Sequence, residues 1–64
     1  MSLPKAVCDL CGLELVAAAR NADAIEVVRE VFAQHLESCQ ALSRQDAVST
    51  AADWARRELE VVTA

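Results

Sequence analysis

The spacing of hydrophobic residues changes along this 64-residue chain. Short apolar stretches on either side of residues 8–12 predict two strands around a tight turn within Lys5–Val16. From about Asp23 to about Cys39, apolar residues recur every three or four positions, which predicts an amphipathic helix. A second such stretch predicts another helix, from about Arg44 to about Val61.

Polar residues at the predicted boundaries support both helices. Asn21 and Asp23 are candidate N-caps of the first helix. Asp23 is followed three residues later by Glu26, which is the spacing of a capping box. Ser43 precedes Asp46 by the same spacing, so we expect Ser43 to cap the second helix.

The first helix has one clearly apolar face when its residues are projected at about 100° per position. That face carries Ile25, Val28, Phe32, His35 and Cys39, with Ala24, Val31 and Leu36 at its edges. The opposite face carries Glu26, Arg29, Glu30, Ala33 and Glu37. A histidine and a cysteine are therefore expected on the buried side of this helix.

The second helix shows two apolar faces about 120° apart. One carries Val48, Ala51, Ala52, Ala55, Leu59 and Val62, and the other carries Ala47, Trp54 and Val61. One face would pack on the first helix, and the other has no obvious partner within the chain. Trp54 and Val61 are therefore candidate contacts with another protein or a second copy of the chain. The alternative is that Trp54 closes the small core.

The chain is long enough for one domain only, and its core is small. A domain of about 60 residues buries only about 60% of its unfolded surface and commonly needs a disulfide, a metal or a partner for stability. No apolar run approaches the ~20 residues that span a membrane, and no secretory signal is visible. We therefore expect no membrane association.

Three cysteines and one histidine provide the candidate chemistry. Cys8 and Cys11 form a Cys-x2-Cys pair followed by Gly12, the only glycine, which tolerates the positive φ of a tight turn. His35 and Cys39 lie four residues apart, so both side chains project from the same side of a helix. Three sulfurs and one nitrogen form a complete tetrahedral set, and this set suits zinc best.

Two other interpretations use the same residues. Cys39 and His35 could be ordinary core residues, with Cys8 and Cys11 as a free or redox pair, because free cysteine is often buried as a small hydrophobe. A thioredoxin-like Cys8-Asp9-Leu10-Cys11 motif would need a βαβ context that this length does not provide.

With these ligands, the chain resembles the two-Cys two-His zinc fingers, in the variant whose last ligand is cysteine. The resemblance covers about Ala6 to Gln40. Leu15 and Phe32 match the large apolar positions that this family places four residues after the second Cys and three before the His. One departure is that 23 residues separate Cys11 from His35, whereas the family has about 12.

The residue pattern and the resemblance together predict a small zinc-stabilised α+β domain of three parts. Residues 1–5 form a tail. Residues 6–42 form the zinc-finger unit, a β-hairpin zinc knuckle followed by the helix with His-x3-Cys. Residues 43–64 form the C-terminal helix.

We expect one structural zinc ion and no enzymatic activity, because protein atoms fill all four positions and leave none for water or a small-molecule substrate. Ten acidic against six basic residues give a net charge of −4, which favours a protein-interaction module. A nucleic-acid-binding transcriptional regulator is the alternative, through Arg44, Arg56 and Arg57 of the second helix. Thiolate ligands indicate a reducing compartment, the cytoplasm.

Overall fold

A computed structural model describes residues 3–63 and shows a two-stranded hairpin followed by two helices. Strands β1 (Lys5–Val7) and β2 (Glu14–Val16) pair antiparallel, and helices α1 (Ala22–Cys39) and α2 (Arg44–Thr63) follow. The predicted small α+β fold is confirmed. Of the predicted tail, Met1 and Ser2 lie outside the described residues, Pro4 is buried and Lys5 begins β1. Ala64 also lies outside them.

The hairpin presents one face to the helices and the other to solvent. Ala6 lies opposite Leu15 in the register, and both side chains contribute to the core. Lys5, Val7, Glu14 and Val16 alternate with them and are all exposed. Backbone hydrogen bonds extend the pairing at both ends, from Cys8 N–H to the Leu13 carbonyl and from Ala17 N–H to the Pro4 carbonyl.

Side-chain caps begin both helices, as the sequence predicts. The Asn21 side-chain oxygen accepts a hydrogen bond from the Ala24 N–H at 2.9 Å, so Asn21 is the N-cap of α1. Glu26, proposed as a capping-box partner of Asp23, instead pairs with Arg29. The Ser43 hydroxyl accepts from the Asp46 N–H at 3.2 Å and caps α2.

The joint between the helices uses a left-handed backbone conformation at Ala41, with φ 53°. Gln40 N–H and Leu42 N–H both donate to the Leu36 carbonyl, at 3.1 and 3.5 Å. An alanine in this conformation costs roughly 1 kcal/mol relative to glycine. The tight reversal ends α1 directly after Cys39.

The core lies where α1, α2 and the hairpin meet. From α1 it contains Ile25, Val28, Phe32, Ala33 and Leu36, and from α2 it contains Ala47, Ala51, Trp54 and Ala55. Three of the four α2 residues are alanines, which let the two helix backbones approach closely. Within residues 3–63, no helix is both long and apolar enough to cross a membrane.

Two details of the predicted helix faces are wrong. Ala33, predicted on the polar side of α1, is buried, while Val31 is exposed, because α1 packs against α2 on one side and the hairpin on the other. On α2, the two predicted apolar faces are replaced by one buried face that combines Ala47, Trp54 and Ala51. Ala52, predicted to be buried, is exposed.

Trp54 joins all three parts of the fold. Its ring packs edge to face against Phe32, with ring centroids 6.3 Å apart, and its Nε1–H donates to the Lys5 carbonyl at 2.9 Å. Only 8% of Trp54 is exposed. A buried indole needs a partner for its N–H, and the Lys5 carbonyl provides one.

Trp54→Phe should lower the free energy of unfolding by about 1–3 kcal/mol, since it removes this hydrogen bond and part of a buried ring. Urea denaturation at fixed metal concentration measures the loss. The control is Val61→Ala on the same helix, which should change stability by at most about 0.5 kcal/mol because Val61 is 59% exposed. Equal losses in both variants would contradict this account of Trp54.

Candidate metal centre

The hairpin turn holds two of the four candidate ligands. Gly12 adopts φ 78°, the positive value expected for it. Its N–H donates to the Cys8 carbonyl at 2.8 Å, which closes the turn around Cys8-Asp9-Leu10-Cys11. In the same turn, the backbone N–H groups of Cys11 and Leu10 donate hydrogen bonds to Cys8 Sγ. The turn therefore surrounds Cys8 Sγ with hydrogen-bond donors, which stabilise its thiolate form.

The last turn of α1 holds the other two. His35 and Cys39 lie one helical turn apart, and buried Leu36 anchors this end of the helix in the core. Both ligand side chains are half-buried at the boundary between the core and solvent. Their ligand atoms lie close to those of the two cysteines in the hairpin turn.

The four ligand atoms of Cys8, Cys11, His35 and Cys39 all lie within 4.8 Å of one another, so the cluster could hold one metal ion. The Cys8 and Cys39 sulfurs are 3.8 Å apart, and Cys11 Sγ lies 3.3 Å from His35 Nε2. Tetrahedral coordination with M–S bonds of about 2.3 Å and an M–N bond of about 2.0–2.1 Å gives S···S edges of about 3.8 Å and S···N edges of about 3.5 Å. The two measured separations are close to these edges.

Neighbouring groups shift the pKa values of two of the thiols in opposite directions. The backbone N–H of Cys11, the Gln40 side chain and the backbone N–H of Leu10 donate to Cys8 Sγ and lower the pKa of the Cys8 thiol from 9.0 to about 6. Cys39 is hydrogen-bonded to Cys11, partly desolvated and close to Cys8, and its pKa rises from 9.0 to about 11. Negative charge on Cys8 and Cys11 makes Cys39 retain its proton. The same negative charge would attract a cation to the centre of the cluster.

Gln40 is a site residue that sequence analysis missed. Its Nε2 donates to Cys8 Sγ at 3.4 Å from the C-cap position of α1. A donor next to a ligating sulfur fixes the ligand's orientation and balances its charge. The only sequence signal for Gln40 was its position directly after Cys39. That signal is weak, since glutamine is common at helix ends for many other reasons.

The two residues proposed as partner contacts lie away from this cluster and differ from each other. Trp54 is in the core, so its indole ring is not an exposed contact. Val61 is exposed near the end of α2. Trp54 was expected either to contact a partner or to close the small core, and in the structure it closes the core.

Comparisons with protein-family models, with curated proteins and with solved structures find no match to this chain.

Metal affinity should rise with pH from about 6 upward. The lowered pKa of Cys8 favours its thiolate above about pH 6, and protonation below that pH competes with the metal. Cys39 has its pKa raised to about 11, so it must release its proton to bind at neutral pH. Each proton released makes affinity increase about tenfold per pH unit. Competition with a calibrated chelator at pH 6.5, 7.5 and 8.5 measures the slope. An affinity that does not change with pH would contradict this assignment of the ligands.

Gln40→Ala should weaken metal binding by about tenfold or more, because losing a donor to a ligand typically costs about 10–100-fold in affinity. The matched control is Gln45→Ala, at an exposed position in the first turn of α2. Chelator competition compares the two variants, and equal affinities would remove Gln40 from the site.

Proposed function

We propose that this chain is a small zinc-binding domain in which the zinc has a structural role and the folded unit is a protein-interaction module. One observation carries the first part of the proposal: four ligand atoms from the hairpin turn and α1 lie within 4.8 Å of one another. Three sulfurs with one imidazole nitrogen suit zinc because it prefers these ligands, adopts tetrahedral geometry and has no redox chemistry of its own.

The structural role follows from the number of ligands and from the size of the fold. Four protein ligands complete a tetrahedron, so no position remains for a water molecule that could be activated. Each strand has only three residues, and a two-stranded hairpin alone is at best marginally stable. Zinc would tie the hairpin turn to the end of α1 and add binding energy to folding.

The order of the elements supports a similarity in architecture to the two-Cys two-His zinc fingers whose last ligand is cysteine. The hairpin carries the Cys-x2-Cys pair, and the following helix carries His-x3-Cys. Here the 23 residues between Cys11 and His35 include strand β2, residues 17–21 and the first 13 residues of α1. His35 and Cys39 therefore project from the C-terminal end of a long helix.

Zinc analysis tests the structural role. The purified protein should contain one zinc per chain, and a chelator should abolish much of its helical circular dichroism, because the small core does not hold the hairpin without the metal. Cys39→Ser should lose the zinc. Ser38→Ala, an exposed neighbour on the same turn, should retain it. A reduced, metal-free protein that keeps its full helix content would contradict the proposal.

The electrostatics of the surface favour a protein partner over nucleic acid. Five of the six basic side chains form ion pairs, Lys5–Glu14, Arg20–Glu58, Arg29–Glu26, Arg44–Glu37 and Arg56–Asp53. The sixth, Arg57, donates through Nε to the Asp53 carbonyl at 3.4 Å. A phosphate would have to compete with these acceptors, and nucleic-acid binders instead present an uncompensated basic face.

The solvent-facing side of the hairpin is the surface we assign to the interaction. Val7 and Val16 lie on it beside Lys5 and Glu14. The Lys5–Glu14 ion pair leaves no net charge beside the two apolar side chains, so two copies of this face can meet across a two-fold axis without repulsion between like charges. We therefore propose a second copy of the chain as the partner, with the two outer faces stacked on each other.

Sedimentation velocity over a range of concentrations tests this surface on the zinc-loaded protein. The double variant Val7→Thr, Val16→Thr should weaken dimerisation by at least about tenfold, because each subunit would bury a hydroxyl in place of a methyl group at two positions. Val61→Thr on α2 is the matched control, because Val61 is apolar and even more exposed than Val7 and Val16, and it should leave the dimer unchanged. A wild-type protein that stays monomeric, or a dimer weakened by Val61→Thr alone, would overturn the proposal.

A further inference from the structure

The four ligands differ sharply in their access to solvent. Cys8 is 1% exposed and lies beneath the hairpin turn, whereas Cys11 is exposed at the turn's surface. Cys39 and His35 are intermediate. Cys11 is therefore the cysteine of the site most open to small reactive molecules, while Cys8 is covered by the protein.

We propose that Cys11 is a site of oxidation by hydroperoxides, that Cys39 is its disulfide partner, and that formation of this disulfide releases the metal. The proposal rests on the zinc site described above, because zinc keeps both sulfurs as thiolates. Thiolates, not thiols, are the nucleophiles in such reactions. It adds a chemical role for residues whose only other role is to bind the metal.

The reaction proceeds in two balanced steps. The Cys11 thiolate attacks one oxygen of hydrogen peroxide, the O–O bond breaks, and Cys11 becomes a sulfenic acid while hydroxide leaves. The Cys39 thiolate then attacks Cys11 Sγ, the S–O bond breaks, and a second hydroxide leaves as the disulfide forms. Two thiolates are oxidised, one peroxide is reduced, and the metal loses two of its four ligands.

Cys39 is favoured over Cys8 as the second cysteine by their surroundings. Cys8 Sγ accepts hydrogen bonds from two backbone N–H groups and from Gln40, all of which it would lose by turning toward Cys11. Cys39 Sγ lies within 4.8 Å of Cys11 Sγ, so the two sulfurs can meet through small side-chain rotations. It is also less buried than Cys8 and is the last residue of α1.

The disulfide would join the same two elements that the metal joins. Cys11 belongs to the hairpin turn, and Cys39 is the last residue of α1. A covalent link between them keeps the hairpin on the helix, so we expect zinc to leave without the loss of helix that a chelator produces. Oxidation and chelation should therefore have different structural outcomes.

The test begins with the zinc-loaded wild-type protein, after its zinc content has been measured. A protein without zinc at this stage contradicts the proposed function and overturns this proposal with it, whereas a zinc-loaded protein that fails the later steps overturns this proposal alone. Hydrogen peroxide is added, released zinc is followed with a chromogenic chelator, and the thiols are then blocked for disulfide mapping. The expected result is one disulfide per zinc released, with helical circular dichroism retained.

Two protease digestions identify the disulfide. Trypsin places Cys8 and Cys11 on one peptide, 6–20, and Cys39 on another, 30–44. Cleavage before Asp9 separates Cys8 from Cys11. We expect a cross-link between the two tryptic peptides that remains with the Cys11 fragment. A disulfide within peptide 6–20, a cross-link through Cys8, or zinc loss without any disulfide would overturn the proposal.

A sulfenic-acid trap identifies the cysteine that reacts first without requiring a variant that folds. Added during oxidation of the wild-type protein, the trap should label Cys11 and reduce the yield of disulfide. Label on Cys8 or Cys39 would contradict the order of the two steps. Oxidation in urea is the control, and the mixture of pairings expected there shows that the selectivity comes from the fold.

Discussion

The candidate metal site depends on bringing four ligand atoms from two distant stretches of chain to within 4.8 Å of one another. Two of them come from a turn that needs the positive φ of Gly12, and two from the last turn of a helix. Hydrogen bonds from the turn and from Gln40 already stabilise negative charge on Cys8, while Cys39 retains its proton among the other sulfurs. A divalent ion would neutralise the negative charge of Cys8 and replace the proton of Cys39.

The rest of the molecule holds this arrangement with few large side chains. Alanines at positions 47, 51 and 55 let α2 lie close to α1, and Trp54 fills the space beside Phe32. The hydrogen bond from Trp54 to the Lys5 carbonyl then connects α2 to the hairpin. The helix that carries no ligand therefore supports the site by positioning the hairpin over the end of α1.

Local signals were sufficient to predict the elements and the four residues that cluster at the candidate site. Caps at Asn21 and Ser43 and the positive φ of Gly12 depend on a few neighbouring atoms, and helical periodicity alone placed His35 beside Cys39. The residues that sequence analysis missed or misplaced depend on tertiary packing. Ala33 and Trp54 are buried by contacts between α1, α2 and the hairpin, and Gln40 reaches Cys8 across 32 positions of sequence. Ala41 takes a left-handed conformation that its residue type does not favour.

Cobalt substitution tests the central claim most directly, because Co²⁺ adopts zinc sites and its visible spectrum reports both geometry and ligand type. We expect one equivalent of Co²⁺ to give the intense d–d bands of a tetrahedral ion and a strong sulfur-to-cobalt charge-transfer band. His35→Gln should alter the d–d bands and largely keep the charge transfer, and one equivalent of zinc should remove the whole spectrum. A weak, octahedral-type spectrum, or one without sulfur charge transfer, would contradict the account of Cys8, Cys11, His35 and Cys39 as a single metal site.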